Sequence, residues 1–256
     1  MIVPRCLAAM IPALALLPTA ALIGGCGGTS ESAEPSTPVT TRSSPAPPAT
    51  GPLPDDGAGK GPVPASLRSA ESAAEDLIDE ALAGERDQVV TSADELAAAA
   101  GPLANALRRA GAAPAEISDF QRRALVTRRL APKAPLIDVA LASNHAFELL
   151  PDFFSRFKID VPADVTKLDY LYFEAKLQSK ARNAAKLGGA VRQLRGVWTP
   201  LRPKVIKAGG VKAAADYDAH LVAMTGLSDN AHAERTQREA QRGLDLVDVI
   251  ESVFAP

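Results

Sequence analysis

The side chains in this chain that could do chemistry are few. It has three histidines (His145, His220 and His232) and two cysteines (Cys6 and Cys26) in 256 residues. One pair has spacing suited to metal chemistry: His145 and Glu148 lie three residues apart in a stretch that reads as helix, so both fall on one face. An imidazole and a carboxylate placed that way can share one hard-to-borderline metal ion. Asp218 and His220 would add ligands if the fold brought the two stretches together. These four residues are the candidate metal set, with a divalent ion as the alternative to no cofactor at all. The sequence has no Gly-x-Ser-x-Gly elbow, P-loop, dinucleotide fingerprint or His-Glu-x-x-His pair, so the expectation is a protein without catalytic activity.

Both cysteines fall at the start of the chain, and one of them carries a chemical role. A single base, Arg5, precedes an uncharged, almost wholly apolar run from Leu7 to Ile23, interrupted by Pro12 and Pro18. That run is shorter than the roughly 20 residues a spanning helix needs, and it closes in small residues as a cleavable signal does. The closing quartet Ile23-Gly24-Gly25-Cys26 resembles the lipobox of bacterial lipoproteins: a branched apolar residue, two small residues, then cysteine. The resemblance implies that residues 1–25 are a signal peptide. It also implies that the Cys26 thiol accepts diacylglycerol and becomes the new N-terminus, on the extracytoplasmic side of the cell membrane. Two acyl chains make such anchoring stable where one does not. The rest of the chain then has neither disulfide nor free thiol, which excludes thiol catalysis and thiolate metal sites.

Residues 26–64 hold the lipidated cysteine and a linker. From Gly27 to Pro64 lie nine of the chain's 21 prolines, mixed with Ser, Thr, Gly and Ala and without an aromatic residue. Such a stretch cannot bury enough apolar surface to offset its ordering entropy, and reads as a tether that holds the folded part off the lipid surface.

Everything from 65 to 256 reads as all-α. Helix formers dominate and period-two β patterns are absent, which predicts helices over about 66–84, 86–110, 115–131, 134–158, 166–186, 188–208, 211–225 and 230–254. The breaks are chemical: Gly84, Gly111 before Pro114, Pro132 with Pro135, Val161-Pro162, Gly209-Gly210 and Gly226. Short loops predict antiparallel neighbours in an up-and-down bundle. A weak repeat sets Asp94–Gly111 against Arg192–Gly209, pairing Pro102 with Pro200 and Gly111 with Gly209. With one gap residue the register continues, Phe120 meeting Tyr217 and Leu149 meeting Leu246. The expectation is two tandem four-helix units, 65–158 and 166–254.

Within this bundle the context Ser143-Asn144-His145-Ala146-Phe147-Glu148 resembles the Gly-x-His-x-x-Glu motif of imelysin-like proteins, exported helical-bundle proteins, with Ser143 where that motif has glycine. The resemblance implies an extracytoplasmic metal-binding protein using His145 and Glu148.

Charge and aromatics are unevenly spread. From Ser69 to Glu95 there are nine acids against one base, and from Ala175 to Ala215 ten bases and no acid. Two readings stand: a basic surface for an anionic wall polymer or acidic envelope protein, or oppositely charged hairpins of the two copies packed together. The net charge of −2 and the scarcity of aromatics among the bases argue against nucleic acid. Seven aromatics cluster at the junction of the proposed copies: Phe147, Phe153, Phe154, Phe157, Tyr170, Tyr172 and Phe173. They are either an apolar cleft for a ligand or partner helix, or the core that joins the two units. The reading as a whole is a membrane-anchored extracytoplasmic lipoprotein whose helical domain binds a partner or ligand.

Overall fold

A computed structural model describes residues 60–227 and 232–255. The signal segment, Cys26 and most of the tether lie outside the described residues. Those described are all-helical: α1 (Ala65–Ala83), α2 (Arg86–Arg109), α3 (Pro114–Leu130), α4 (Leu136–Phe147), α5 (Leu150–Phe154), α6 (Ala163–Lys180), α7 (Ala184–Lys207), α8 (Val211–Thr225) and α9 (Ala233–Phe254). Among them no helix is long and apolar enough to cross a membrane.

The helices form two four-membered rings of neighbours. In the first, α1 packs on α2, α2 on α3, α3 on α4, and α4 back on α1. In the second, α6 packs on α7, α7 on α8, α8 on α9, and α9 back on α6. The connectivity is the same, and the duplication extends to single residues. Pro64 caps the start of α1 and Pro162 that of α6, both in extended conformation. Arg86 and Ala184 open α2 and α7, and Arg109 and Lys207 close them. Both of those long helices carry a matched interior proline, Pro102 and Pro200. Both end in a left-handed glycine, Gly111 and Gly209, whose following amide bonds back to the helix: Ala112 to the Leu107 carbonyl, and Gly210 to that of Val205 (both 2.9 Å).

The turn between the first two helices of each unit shows how one geometry survives different sequences. Gly84 ends α1 at φ 90°, and the matching Arg182 follows α6 at φ 57°, the one non-glycine residue with positive φ among those described. Both turns close with the same bond, Glu85 N–H to the Glu80 carbonyl and Asn183 N–H to that of Gln178 (both 2.9 Å). Glycine adopts this region without a steric penalty; arginine does not. The Asn183 side chain then accepts the Lys186 amide at 3.1 Å and starts α7, so the α6–α7 break falls several residues before the one expected from sequence.

The expected helix over 134–158 is a second departure. It stops at Phe147, passes through a turn at Glu148 and Leu149, and resumes as the short α5. Pro151 has no amide to bond one turn back and its ring crowds that carbonyl. The matching position in the second copy is Asp248, and α9 runs unbroken through it.

One continuous core joins the two rings. Its bridge is the packing of α4 and α5 on α6, where Phe147 meets Phe173 at 6.1 Å between ring centroids. Asn144 Nδ2 also donates to Glu174 Oε2 at 2.8 Å there. All seven clustered aromatics are buried. They are core residues, most of their faces consumed by helix–helix packing, and Phe154 and Phe173 also line cavities at the surface. The last tether residues are pinned to the same joint. Lys158 N–H donates to the Gly61 carbonyl at 2.8 Å, and Lys60 Nζ to that of Ser155 at 2.6 Å.

In the second unit Tyr172 lies directly over Gly243; a Cβ at 243 would overlap its ring. Gly243→Ala should therefore destabilise the fold by about 1–3 kcal/mol through overpacking. Arg182→Gly should stabilise it by about 1 kcal/mol by removing the left-handed penalty. In a domain of this size each kcal/mol moves Tm by about 2–4 °C, so calorimetry of the two variants checks both signs.

Candidate functional site

A strongly acidic cleft of about 310 Å³ lies between α1, α6 and α9. Helical spacing builds it. Glu71, Glu75 and Asp79 recur every four residues on α1, with Asp76 beside them; Asp245, Asp248 and Glu251 form a similar stripe on α9. Asp169 of α6 completes the lining. Eight carboxyl groups thus face one space, with Phe173 and Leu244 as its apolar floor.

Burying like charges together favours their protonated forms. Burial, and then the Glu251 carboxylate, push Glu71 up to about 7; the Thr166 hydroxyl and Arg68 oppose this. Burial pushes Glu75 to about 8, reinforced by Glu71, Glu251, Asp76 and Asp248. Asp169 is held well above the usual carboxylate range, first by burial and then by Glu75, Glu251, Glu71 and Asp248. Burial also raises Asp248 and Glu251, each helped by an acidic neighbour on α9. One cation reaches the rim: Lys176 Nζ bonds Asp79 Oδ1 at 3.1 Å and Gln241 Oε1 at 2.8 Å, with its side chain only 14% exposed. The rim therefore already seats one primary ammonium group.

The candidate metal set is not assembled. The His145 side chain is exposed, while its carbonyl accepts Arg123 Nη1 at 2.5 Å. Glu148 is taken by the same guanidinium at 2.7 Å, so the pair serves to fasten the end of α4 to α3. Asp218 accepts Trp198 Nε1 at 2.7 Å and Arg202 Nε at 2.8 Å. His220 is buried in the second unit, its Nδ1 facing Glu239 Oε2 at 3.5 Å. Burial lowers its pKa below the ordinary imidazole value, Arg242 adding to the effect and Glu239 opposing it. Among the described residues no three His, Cys, Asp or Glu side chains are grouped to hold a metal ion. Cys26 lies outside the described residues.

The acidic and basic segments are not partners either. α1 and α2 pack chiefly on each other, α3, α4 and α5, whereas the basic α7 packs on α6, α8 and α9. The bases answer to acids nearby, Lys204 to Asp164 and Lys212 to Asp216, and only Lys176 reaches α1 through a carboxylate. The sequence shows the acidic excess of 69–95 but not that its inner face meets three acids of α9. The four-residue spacing of Glu71, Glu75 and Asp79 was the signal for half of the site. Comparison with family models, curated proteins and solved structures finds no match to this chain.

The carboxyl groups set a pH dependence. Glu71 and Glu75 bind protons in the folded chain at pH values where the unfolded chain, near 4.5, has released them. These two groups therefore make stability fall as pH rises from about 4.5 to about 8. Thermal unfolding at about pH 5 and pH 8.5 should show the lower Tm at the higher pH, and Glu75→Gln should shrink the difference. An unchanged Tm across the window would mean that these carboxyls are not held as described.

Proposed function

We propose that this chain is a lipid-anchored extracytoplasmic binding protein, not an enzyme, whose helical domain receives basic groups of a partner or ligand in the carboxylate-lined cleft. The location rests on the quartet ending in Cys26 and on the Pro-rich segment that follows. The binding reading rests on one observation: eight carboxyl groups lining one open cleft, with a lysine ammonium seated at its rim. Holding Glu71, Glu75, Asp169 and Glu251 half-buried beside four exposed acids gives up stability, which a cationic occupant restores. The acidic α1 and α9 faces suit the basic side chains of an envelope protein better than the anionic wall polymer considered from the basic segment.

Two measurements test this. In cells, the full chain should fractionate with the membrane and Cys26→Ala should not; an equal distribution of the two would remove the anchor from the reading. In vitro, the full chain in detergent should bind pentalysine with a salt-sensitive affinity. Replacing Glu71, Glu75 and Asp169 by their amides should weaken that binding about tenfold, about 1.4 kcal/mol, with helical content unchanged by circular dichroism. Failure of pentalysine to bind, or binding indifferent to the triple substitution, would overturn the cationic assignment.

A further inference from the structure

The repeat register shows what the cleft is in architectural terms. The two units meet along the seam between α4 and α6, held by Asn144, Phe147 and Glu148 on one side and Tyr170, Phe173 and Glu174 on the other. Phe147 packs on Phe173, Asn144 donates to Glu174, and after burial the Glu148 and Glu174 carboxylates push the Tyr170 hydroxyl pKa up. Exchanging the copies turns α4 into α9 and α6 into α1. The six positions then become Gln241, Leu244 and Asp245 on α9, and Ser72, Glu75 and Asp76 on α1. Five of those six line the acidic cleft.

The cleft is thus the counterpart of the closed α4–α6 seam, and Phe173 borders both. The substitutions explain why it is open. Phe173 in the closed seam corresponds to Glu75, and the broken α4–α5 segment corresponds to the unbroken α9, which carries Asp248 where the first copy has Pro151. An aromatic pair has become a carboxylate opposite Leu244, flanked by further carboxylates. α9 therefore packs on α6 and α8 but not on α1 as α4 packs on α6.

We propose that the α1–α9 seam is a proton-controlled closure: when its carboxyls are neutralised, the two units turn about the α4–α6 seam and α9 seats on α1 as α6 seats on α4. The groups facing Glu71 and Glu75 are Arg68 and Asp76 from α1 and Asp248 and Glu251 from α9. Asp169 and Thr166 face them from α6, and Lys158 and Asp160 from the loop before it. α2 and α4 meet the other sides of α1 through Ser92, which bonds Glu80, and Ser143, which bonds the Ala74 carbonyl. Acids outnumber bases around the seam, so proton release favours the open arrangement and proton uptake removes that repulsion. Lys176, bonded at once to α1 and α9, is the fixed contact at its rim. The closure is a property of the empty protein and does not depend on what the cleft binds.

The test is a distance across the seam. Ser72 on α1 and Val249 on α9 are both exposed; they take spin labels as cysteines in the full chain with Cys6 and Cys26 replaced by serine. Electron–electron double resonance should give a shorter distance at about pH 5 than at pH 9. The change should run with proton uptake by the cleft carboxyls, so that the shorter distance belongs to the lower pH. Glu75→Phe, which restores the aromatic of the closed seam, should be short at both pH values. Glu75→Gln, which changes shape least, should give a shorter distance at pH 9 than the unsubstituted chain, even if the phenylalanine variant folds poorly. A distance independent of pH in the unsubstituted chain, or a Glu75→Gln transition identical to it, would overturn the proposal. Either result would leave pentalysine binding as a separate question.

Discussion

Two helices of nearly identical placement carry opposite instructions. α6 brings Phe173 to the neighbouring unit and closes on α4; α1 brings Glu75 to the matching place and leaves a gap before α9. The dry contact joins the two units, and it brings the acids of α1, α6 and α9 to one space. Repulsion among those carboxyl groups can turn the units about the α4–α6 joint but cannot part them. The perturbed protonation of the cleft comes first from burial, then from acidic neighbours on the same helix and across the cleft.

The two copies divide the work of folding unequally. The first packs small residues: Ala74 and Ala146 stand where the second copy has Tyr172 and Gly243, and Phe120 stands where it has Tyr217. Both arrangements bury their stripes completely, so the ring of four helices does not require the larger, more polar set. In the second unit Tyr217 stacks on Trp198 at 4.3 Å and lies at right angles to Tyr172 at 6.1 Å, with His220 beside both. Fusing a tightly packed small-residue unit to an aromatic one lets the same topology present two different surfaces to the cleft between them.

The architecture could be read from sequence because its signals are local. Apolar periodicity gave the helices, Gly84 and Gly111 gave their ends, and Pro102 with Pro200 gave the duplication. What escaped was non-local. Arg182 takes a glycine's conformation because the matching turn of the fold demands it, and an arginine in a sequence says nothing of that. Pro151 is visible, yet whether a proline bends a helix or splits it depends on what the next turn packs against. The site divides in the same way: the acids of α1 are plain in composition, and those of α9 look like an ordinary solvent face. Only the pairing of helices shows that the two faces meet, and that Phe147 and Phe173, from the aromatic cluster, close the seam between α4 and α6.

The attachment of the tether has a mechanical meaning. The segment preceding α1 does not leave the domain from a free end; residues 60–62 are clamped to Ser155 and Lys158, next to the loop that connects the copies. If the chain is held at a membrane by its N-terminus, tension from that side enters at this loop and not along the axis of α1. Load would be shared between the two units at their hinge line, so pulling on the domain would strain the joint first and leave each ring of four helices intact.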